Sequence, residues 1–340
     1  DSGKTSLVKA LSTSLSTAAL DKNPQSQQRG ITLDLGFSAF SLPMPEHLQR
    51  DSQRLHENQE SLEPVEDETM QFTLVDCPGH ASLIKTIIGG AQIIDMIVLV
   101  IDANKGIQTQ TAECIVIGEI TTNSLVVVLN KIDMIPIEER EEKLVKIMSR
   151  IRLALSTTKF KDSPIVCTAA AVGGEKVAAT TTLQTVTKKD TALESSTSSE
   201  CLEKNIGIEP LVALLCNSVK FPKRKLDAPF YFSIDHCFPI KGHGTVITGT
   251  VLSGTVAVNQ MIELPYIQQQ RKIKSMQMFK KSVKNAKQGD RLGMCVTNLD
   301  ASTIERGIAV EPNSVPLLRS VVCLVKKIRF FRGICRSNTK

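Results

Sequence analysis

Three short stretches carry residue types that could do chemistry together: Asp1-Ser2-Gly3-Lys4-Thr5-Ser6, Asp76-Cys77-Pro78-Gly79-His80 and Asn130-Lys131-Ile132-Asp133. The first is the tail of a phosphate-binding loop running into a helix. Its backbone N–H groups would cradle phosphates, Lys4 would neutralise β and γ oxygens, and the Thr5 hydroxyl would hold Mg²⁺. Asp76 is a carboxylate that could reach the same metal through water, and Gly79 lets a backbone N–H approach a γ-phosphate because it has no side chain. Asp133 accepts only, and its two oxygens suit the ring N–H and exocyclic amino group of guanine, donors that adenine lacks at that edge. His80, directly after the turn, is placed to orient an attacking water. Taken singly, each stretch has an ordinary reading: a helix N-cap, a tight turn, a capped strand end. In this order along one chain they describe a site for GTP/GDP and Mg²⁺.

Such residues need a scaffold that brings strand ends together. Apolar runs QFTLVD (71–76), MIVLVID (96–102), LVVVLN (125–130) and SPIVCT (163–168) are continuous rather than alternating, as in parallel strands buried on both faces. Helical spacing fills the intervals at ASLIKTIIGGAQ, TQTAECIVIGEI, EEREEKLVKIMSRIRLAL and IEPLVALLCNSV. The alternation predicts a doubly wound, mostly parallel α/β domain over residues 1–222, with ligands at the carboxyl ends of its strands. Polar segments 45–69 and 175–204 read as surface inserts. After the charged segment FPKRKLDAPF (221–230) the texture becomes short strands broken by glycines: FYFSIDHCF, GTVITGTVLSG, QMIELP, RKIKSMQMF and RLGMCVTNL. These predict an all-β barrel or sandwich over 228–312, and SVVCLVKKIRFF (320–331) reads as the first strand of a further β domain, 318–340.

The 340 residues, 41% hydrophobic and 22% charged, have a globular composition, and the net charge of +6 is compatible with an RNA partner without requiring one. Nine cysteines, odd in number and without a CxxC pair, exclude zinc-ribbon spacing and speak against a secreted disulfide framework, so an intracellular, cytoplasmic setting is expected. The longest apolar stretch, Ile93 to Ile101, is interrupted by Asp95 and too short to span a bilayer, so no membrane role is expected.

RGITLDLGF (29–37), DCPGHASLIKTIIGGAQIID (76–95), NKID (130–133) and GHGTVITGTVLSG (242–254) resemble the translational GTPases related to elongation factor Tu. RGITLDLGF, GGAQIID, KGIQTQTAECIVIGEI and KSMQMF are similar in detail to the selenocysteine-specific branch of that family, of the eukaryotic and archaeal type. The resemblance covers nearly all of the chain outside the two inserts. It implies an α/β P-loop GTPase domain, a translation-factor β-barrel and the start of a third domain. It also implies ribosome-stimulated GTP hydrolysis, with selenocysteinyl-tRNA and the ribosome as partners. Thr32 matches the threonine that closes over Mg²⁺ and the γ-phosphate. Thr168-Ala169-Ala170-Ala171 matches the guanine-edge loop, where the N–H groups of Ala169 and Ala170 would meet the base; Ala171 stands where the family usually has lysine.

Asp235, His236 and Arg291 match the family's selenocysteine pocket. A selenol is largely anionic at neutral pH, so a cationic pocket would separate it from serine by charge. From residue types alone, Asp235, Asp290 and Arg291 would equally make a barrel salt bridge. Against this family the chain is expected to lack the first strand and leading glycine of the phosphate loop. Most of the third domain and the fourth domain would be missing too, the latter being the part that engages the selenocysteine insertion RNA element and its adaptor. Two rivals stand beside this reading. One is another tRNA-delivering GTPase, such as an elongation factor Tu-like protein or the gamma subunit of initiation factor two, which usually carries a cysteine-rich insert absent here. The other is a nucleotide-binding module without turnover.

Overall fold

The computed structural model describes residues 2–12, 14–15, 36–49, 69–77, 94–171, 206–220, 222–240, 242, 244–316 and 318–324. The first half is built on a central parallel sheet of β4 (Ile97–Asp102), β5 (Leu125–Asn130) and β6 (Ile165–Cys167), with β5 in the middle. Every residue of β5 is buried, which is why its sequence is a continuous apolar run and not an alternation. Helices α2 (Thr109–Thr121) and α3 (Ile137–Leu155) pack on one side. In α3, Ile147, Ile151 and Leu155 recur every four residues on the buried face, and Glu138 and Glu139 in the first turn suit the helix dipole. Helices α1 (Lys4–Leu11) and α4 (Ile208–Ser218) pack on the other through Leu7, Leu11, Leu211 and Leu215.

A second sheet was not foreseen from the sequence. Strand β2 (Gly36–Pro43) pairs antiparallel with β3 (Thr69–Asp76) over eight residues, from Gly36↔Asp76 to Pro43↔Thr69, and the two-residue β1 (Ser14–Leu15) joins β2 at its other edge. The 71–76 run, expected among parallel strands, is therefore half of an antiparallel pair. Phe40 stacks on Phe72 with centroids 4.9 Å apart, and both rings join the core shared with α1, α4 and β5. The insert expected over 45–69 is shorter at both ends, since residues 46–49 are helical and Thr69 already pairs in β3. The 81–92 helix and the 175–204 insert lie outside the described residues.

The second half is a closed barrel of β10 (Met261–Leu264), β15 (Gly307–Val310), β7 (Tyr231–Ile240), β8 (Gly244–Ser253), β14 (Arg291–Val296) and β11 (Gln269–Met278). The β10–β11 hairpin closes the ring, so no edge among these six is left open. Short strands β9 (Thr255–Ala257), β12 (Lys281–Val283) and β13 (Asn285–Lys287) complete it, and a single core including Phe232, Ile247, Ile262, Met276 and Met294 fills the interior. The strand expected at 320–331 is not formed over residues 320–324. Val321, Val322 and Leu324 are exposed there and have no neighbour to pair with among the described residues.

The segment between the halves is held at its middle, to both of them. The Arg224 guanidinium donates to both carboxylate oxygens of Asp95, at 2.9 and 2.6 Å, while the Lys225 carbonyl accepts from Gly254 N–H at 2.9 Å and its own N–H donates to Gln288 Oε1.

Candidate functional site

The amino end of α1 starts at Gly3, whose φ of 81° is left-handed. A Cβ there would lie 2.4 Å from Asn130 Nδ2, so only glycine fits both the turn and the neighbour. Asn130, the last residue of β5 and buried, ties three segments together. Its Nδ2 donates to the carbonyls of Ser2 (3.1 Å) and Gly3 (3.5 Å), and its Oδ1 accepts from Ala170 N–H and the Thr168 hydroxyl, each at 3.1 Å. A side-chain amide is suited to this because it offers two donors and an acceptor in one plane.

Thr5, in the first turn of α1, donates its hydroxyl to Asp76 Oδ2 at 2.7 Å, and Asp76 is buried at the carboxyl end of β3. Two hard oxygen groups from distant parts of the sequence thus converge beside the helix N-terminus, a donor set that fits Mg²⁺. Cys77, next along, has its thiol pushed up to about 12, first by burial and then by the charge of Asp76, with Cys114 adding to it and Lys4 opposing. Lys4 is the first residue of α1. Ser6 follows within the same first turn, half-buried.

Lys131 takes a left-handed φ of 66° after β5 and sends its ammonium to Asp102 Oδ2 at 3.0 Å. Asp102 Oδ1 also accepts the N–H groups of Asn104 and Lys105. Burial alone would raise the Asp102 carboxyl, but the Lys131 hydrogen bond, those N–H groups and the Lys131 charge together hold it below the usual range. Asp133 lies in the 3₁₀ turn Ile132–Met134 that follows, half-buried. Asp102 was absent from the residues selected by sequence, although its position at the end of the neighbouring strand was a usable signal.

The loop after β6 departs from expectation. Ala169 N–H donates to the Ile206 carbonyl at 2.9 Å and Ala170 N–H to Asn130, so in this structure both shape the loop and are not presented towards a base. Asp1, Thr32, Gly79 and His80 lie outside the described residues.

In the barrel, Asp235 falls where the β7–β8 register shifts, between Ile234↔Gly249 and His236↔Thr248. This bulge re-aims Asp235 out of the regular alternation and towards Arg291, the first residue of β14. Gly249 permits the close approach, since a Cβ there would meet the Ser233 carbonyl oxygen at 1.8 Å. Arg291 is only 4% exposed; its Nη1 pairs with Asp235 Oδ2 and lies 3.4 Å from the Thr250 hydroxyl. Its Nε and Nη2 are buried without an acceptor among the described residues. Burial disfavours the charged guanidinium, and the Asp235 charge and hydrogen bond counter it. Asp290 takes no part in this pair: its Oδ2 accepts from Lys287 N–H at 2.9 Å, and burial raises its carboxyl. His236 is half-buried on the same strand, with Nδ1 shielded from solvent. The ring of Phe37, from β2, lies over the Arg291 guanidinium with its centroid 3.0 Å from Cζ.

Comparison with known proteins agrees with this geometry. The elongation factor Tu GTP binding domain model matches residues 1–220, and the elongation factor Tu domain 2 model matches residues 244–310. The chain is 46% identical over 341 residues to the selenocysteine-specific elongation factor of Mus musculus, covering 100% of this chain and 52% of that one. It is 33% identical over 337 residues to the same-named factor of Methanocaldococcus jannaschii, covering 98% and 59%. It therefore spans between about half and three fifths of the length of these curated relatives. Among solved structures, translation elongation factor SelB from Methanococcus maripaludis with the GTP analogue GppNHp superposes with a TM-score of 0.60 at 31% identity, covering 92% of this chain and 53% of that one. A bacterial selenocysteine-specific elongation factor gives 0.62 at 23% identity, over 92% and 43%, a likeness of fold. With Thr5 of α1 bonded to Asp76 at the end of β3, the end of β5 tied to residues 2–3 and 168–170 through Asn130, and a closed barrel following, this chain belongs to the elongation factor Tu GTP-binding domain family.

Proposed function

We propose that this chain is the nucleotide- and aminoacyl-binding part of a cytoplasmic translational GTPase that delivers selenocysteinyl-tRNA to the ribosome, where recoded UGA codons are read. The observation that carries the specificity is Arg291: a buried cation, held by Asp235, with two donors that have no acceptor. An anionic selenolate would satisfy such donors with a charge-assisted contact, whereas a neutral serine hydroxyl leaves most of that interaction unmade. Relatives that carry the selenocysteine-specific name at 46% and 33% identity support the same reading.

On this reading Asp1, Ser2, Gly3, Lys4, Thr5 and Ser6 hold the phosphates. Lys131 and Asp133 hold guanine, with Asn130 fixing both loops. Thr5 and Asp76, with Thr32, hold Mg²⁺, which when bound neutralises charge on the β- and γ-oxygens. Gly79 and His80 are assigned to the γ-phosphate, with His80 as the group that would orient the water. The selenocysteine insertion element and its adaptor are partners of the whole protein.

The experiment uses the full-length protein with an intact phosphate loop. GTP turnover with ribosomes is measured, and binding of selenocysteinyl-tRNA and seryl-tRNA is compared for wild type and Arg291→Ala. The expected result is ribosome-stimulated turnover, and a ratio between the two tRNAs that collapses in the variant. Equal loss for both tRNAs would leave the GTPase reading in place and remove the pocket assignment.

A further inference from the structure

The Arg291 guanidinium has a cover that the barrel does not supply. Phe37 belongs to β2 of the first half, is 3% exposed, and lies face-on to a cation that is itself 4% exposed. A second contact nearby comes from the same hairpin, where the Gln71 amide of β3 reaches Met278 Sδ of β11 at 4.0 Å. The β2–β3 pair therefore lies across the barrel face that holds Asp235 and Arg291. A side chain entering towards that guanidinium must share or displace the face that the ring occupies.

The ring is also one residue from the metal-side carboxylate. Phe37 is opposite Val75 and Gly36 is opposite Asp76 in the β2–β3 ladder, and Asp76 accepts the hydroxyl of Thr5. Asp76 and Phe37 therefore sit at neighbouring rungs of one hydrogen-bonded ladder, a contiguous route between the two sites.

We propose that Phe37 is a displaceable cover on the Arg291 pocket, and that the β2–β3 pairing makes its removal depend on which nucleotide is bound at Thr5 and Asp76. The proposal rests on the reading of Asp235 and Arg291 as an aminoacyl pocket. In the covered state, ring and incoming side chain compete for one cation. In the uncovered state, Nε and Nη2 become reachable. By linkage, the factor by which nucleotide changes aminoacyl-tRNA affinity equals the factor by which aminoacyl-tRNA changes nucleotide preference.

The test measures equilibrium binding of selenocysteinyl-tRNA to the full-length protein, loaded either with GDP or with a non-hydrolysable GTP analogue. Wild type, Phe37→Ala, Phe37→Leu and Arg291→Ala are compared. Phe37→Leu keeps apolar bulk at the interface and lacks the π face, so it guards against a variant that simply fails to fold. Loss of the cover should tighten binding in the GDP state by about 30-fold, the scale of a desolvated cation–π contact, and leave the analogue state little changed. The ratio between the two states then shrinks in both Phe37 variants. Equal weakening in both states would make Phe37 a fixed wall of the pocket, and unchanged affinity in both states would make it interface packing; either overturns the proposal. Discrimination against seryl-tRNA that survives Arg291→Ala would instead show that the pocket reading itself has failed.

Discussion

The Thr5 hydroxyl and the Asp76 carboxylate, 71 residues apart in sequence, meet at 2.7 Å beside the first turn of α1. Two groups that would each face a divalent cation are thus already positioned by α1 and β3. Asp76→Asn keeps an oxygen acceptor for Thr5 and removes the charge. The Mg²⁺ concentration needed to retain GTP should rise by about 10- to 100-fold, as for other residues that orient a metal site. Nucleotide release rates measured across a Mg²⁺ titration check this, and an unchanged midpoint would place the metal elsewhere.

Asn130 should be among the least replaceable residues of the first half. Asn130→Ala removes two donor and two acceptor contacts in a buried setting and strands the Thr168 hydroxyl and Ala170 N–H. We expect about 3 kcal/mol of lost stability, together with weakened GTP binding. Asn130→Asp keeps the acceptor side and loses the donors to Ser2 and Gly3. It should therefore disturb the phosphate loop more than the 168–170 loop, a difference that amide exchange at the two loops reads directly.

Gly249→Ala probes the bulge. The new methyl group would meet the Ser233 carbonyl and the Phe232 ring, and β7 cannot recede without disturbing the barrel core. A loss of about 3 kcal/mol is expected, seen as a lower melting temperature, with the Asp235–Arg291 pair disrupted even where the barrel survives. Retained stability would show that β7 tolerates a different register.

The Asp102–Lys131 pair gives an acid dependence with a definite sign. The folded-state carboxyl lies below the ordinary aspartate range, so its contribution is present above that range and is lost as pH falls through the lower folded value. Between roughly pH 5 and pH 2, Asp102→Asn should show a shallower fall in melting temperature than wild type. Parallel curves would mean that the pair contributes nothing net.

Much of this was legible in the residue order. The β5 run, the four-residue recurrence in α3 and the strand-end position of Asn130 are local patterns, and five barrel strands stand out between their glycines. Strand β2 did not, because the interest of RGITLDLGF lay in its motif and GFSAFSLP alternates only loosely. The short strands β9, β12, β13 and β15 have three or four residues each and, unlike β6 and β10, were not singled out as apolar runs in the sequence. Asp235 could be named as a pocket residue by resemblance. That it is the bulged residue follows from pairing with β8, and that Phe37 lies over Arg291 follows from packing between the halves. Neither relation has a trace in local sequence.

The 221–230 segment, rich in lysine and bearing two prolines, looks like a loose tether. Its middle is instead splinted, with Arg224 clamped to Asp95 on one side and Lys225 bonded to Gly254 and Gln288 on the other. The joint between the two halves therefore includes one partly exposed ion pair, Arg224–Asp95. Because such a pair is screened by salt, the stiffness of the joint becomes a property of the surrounding solution as well as of the chain.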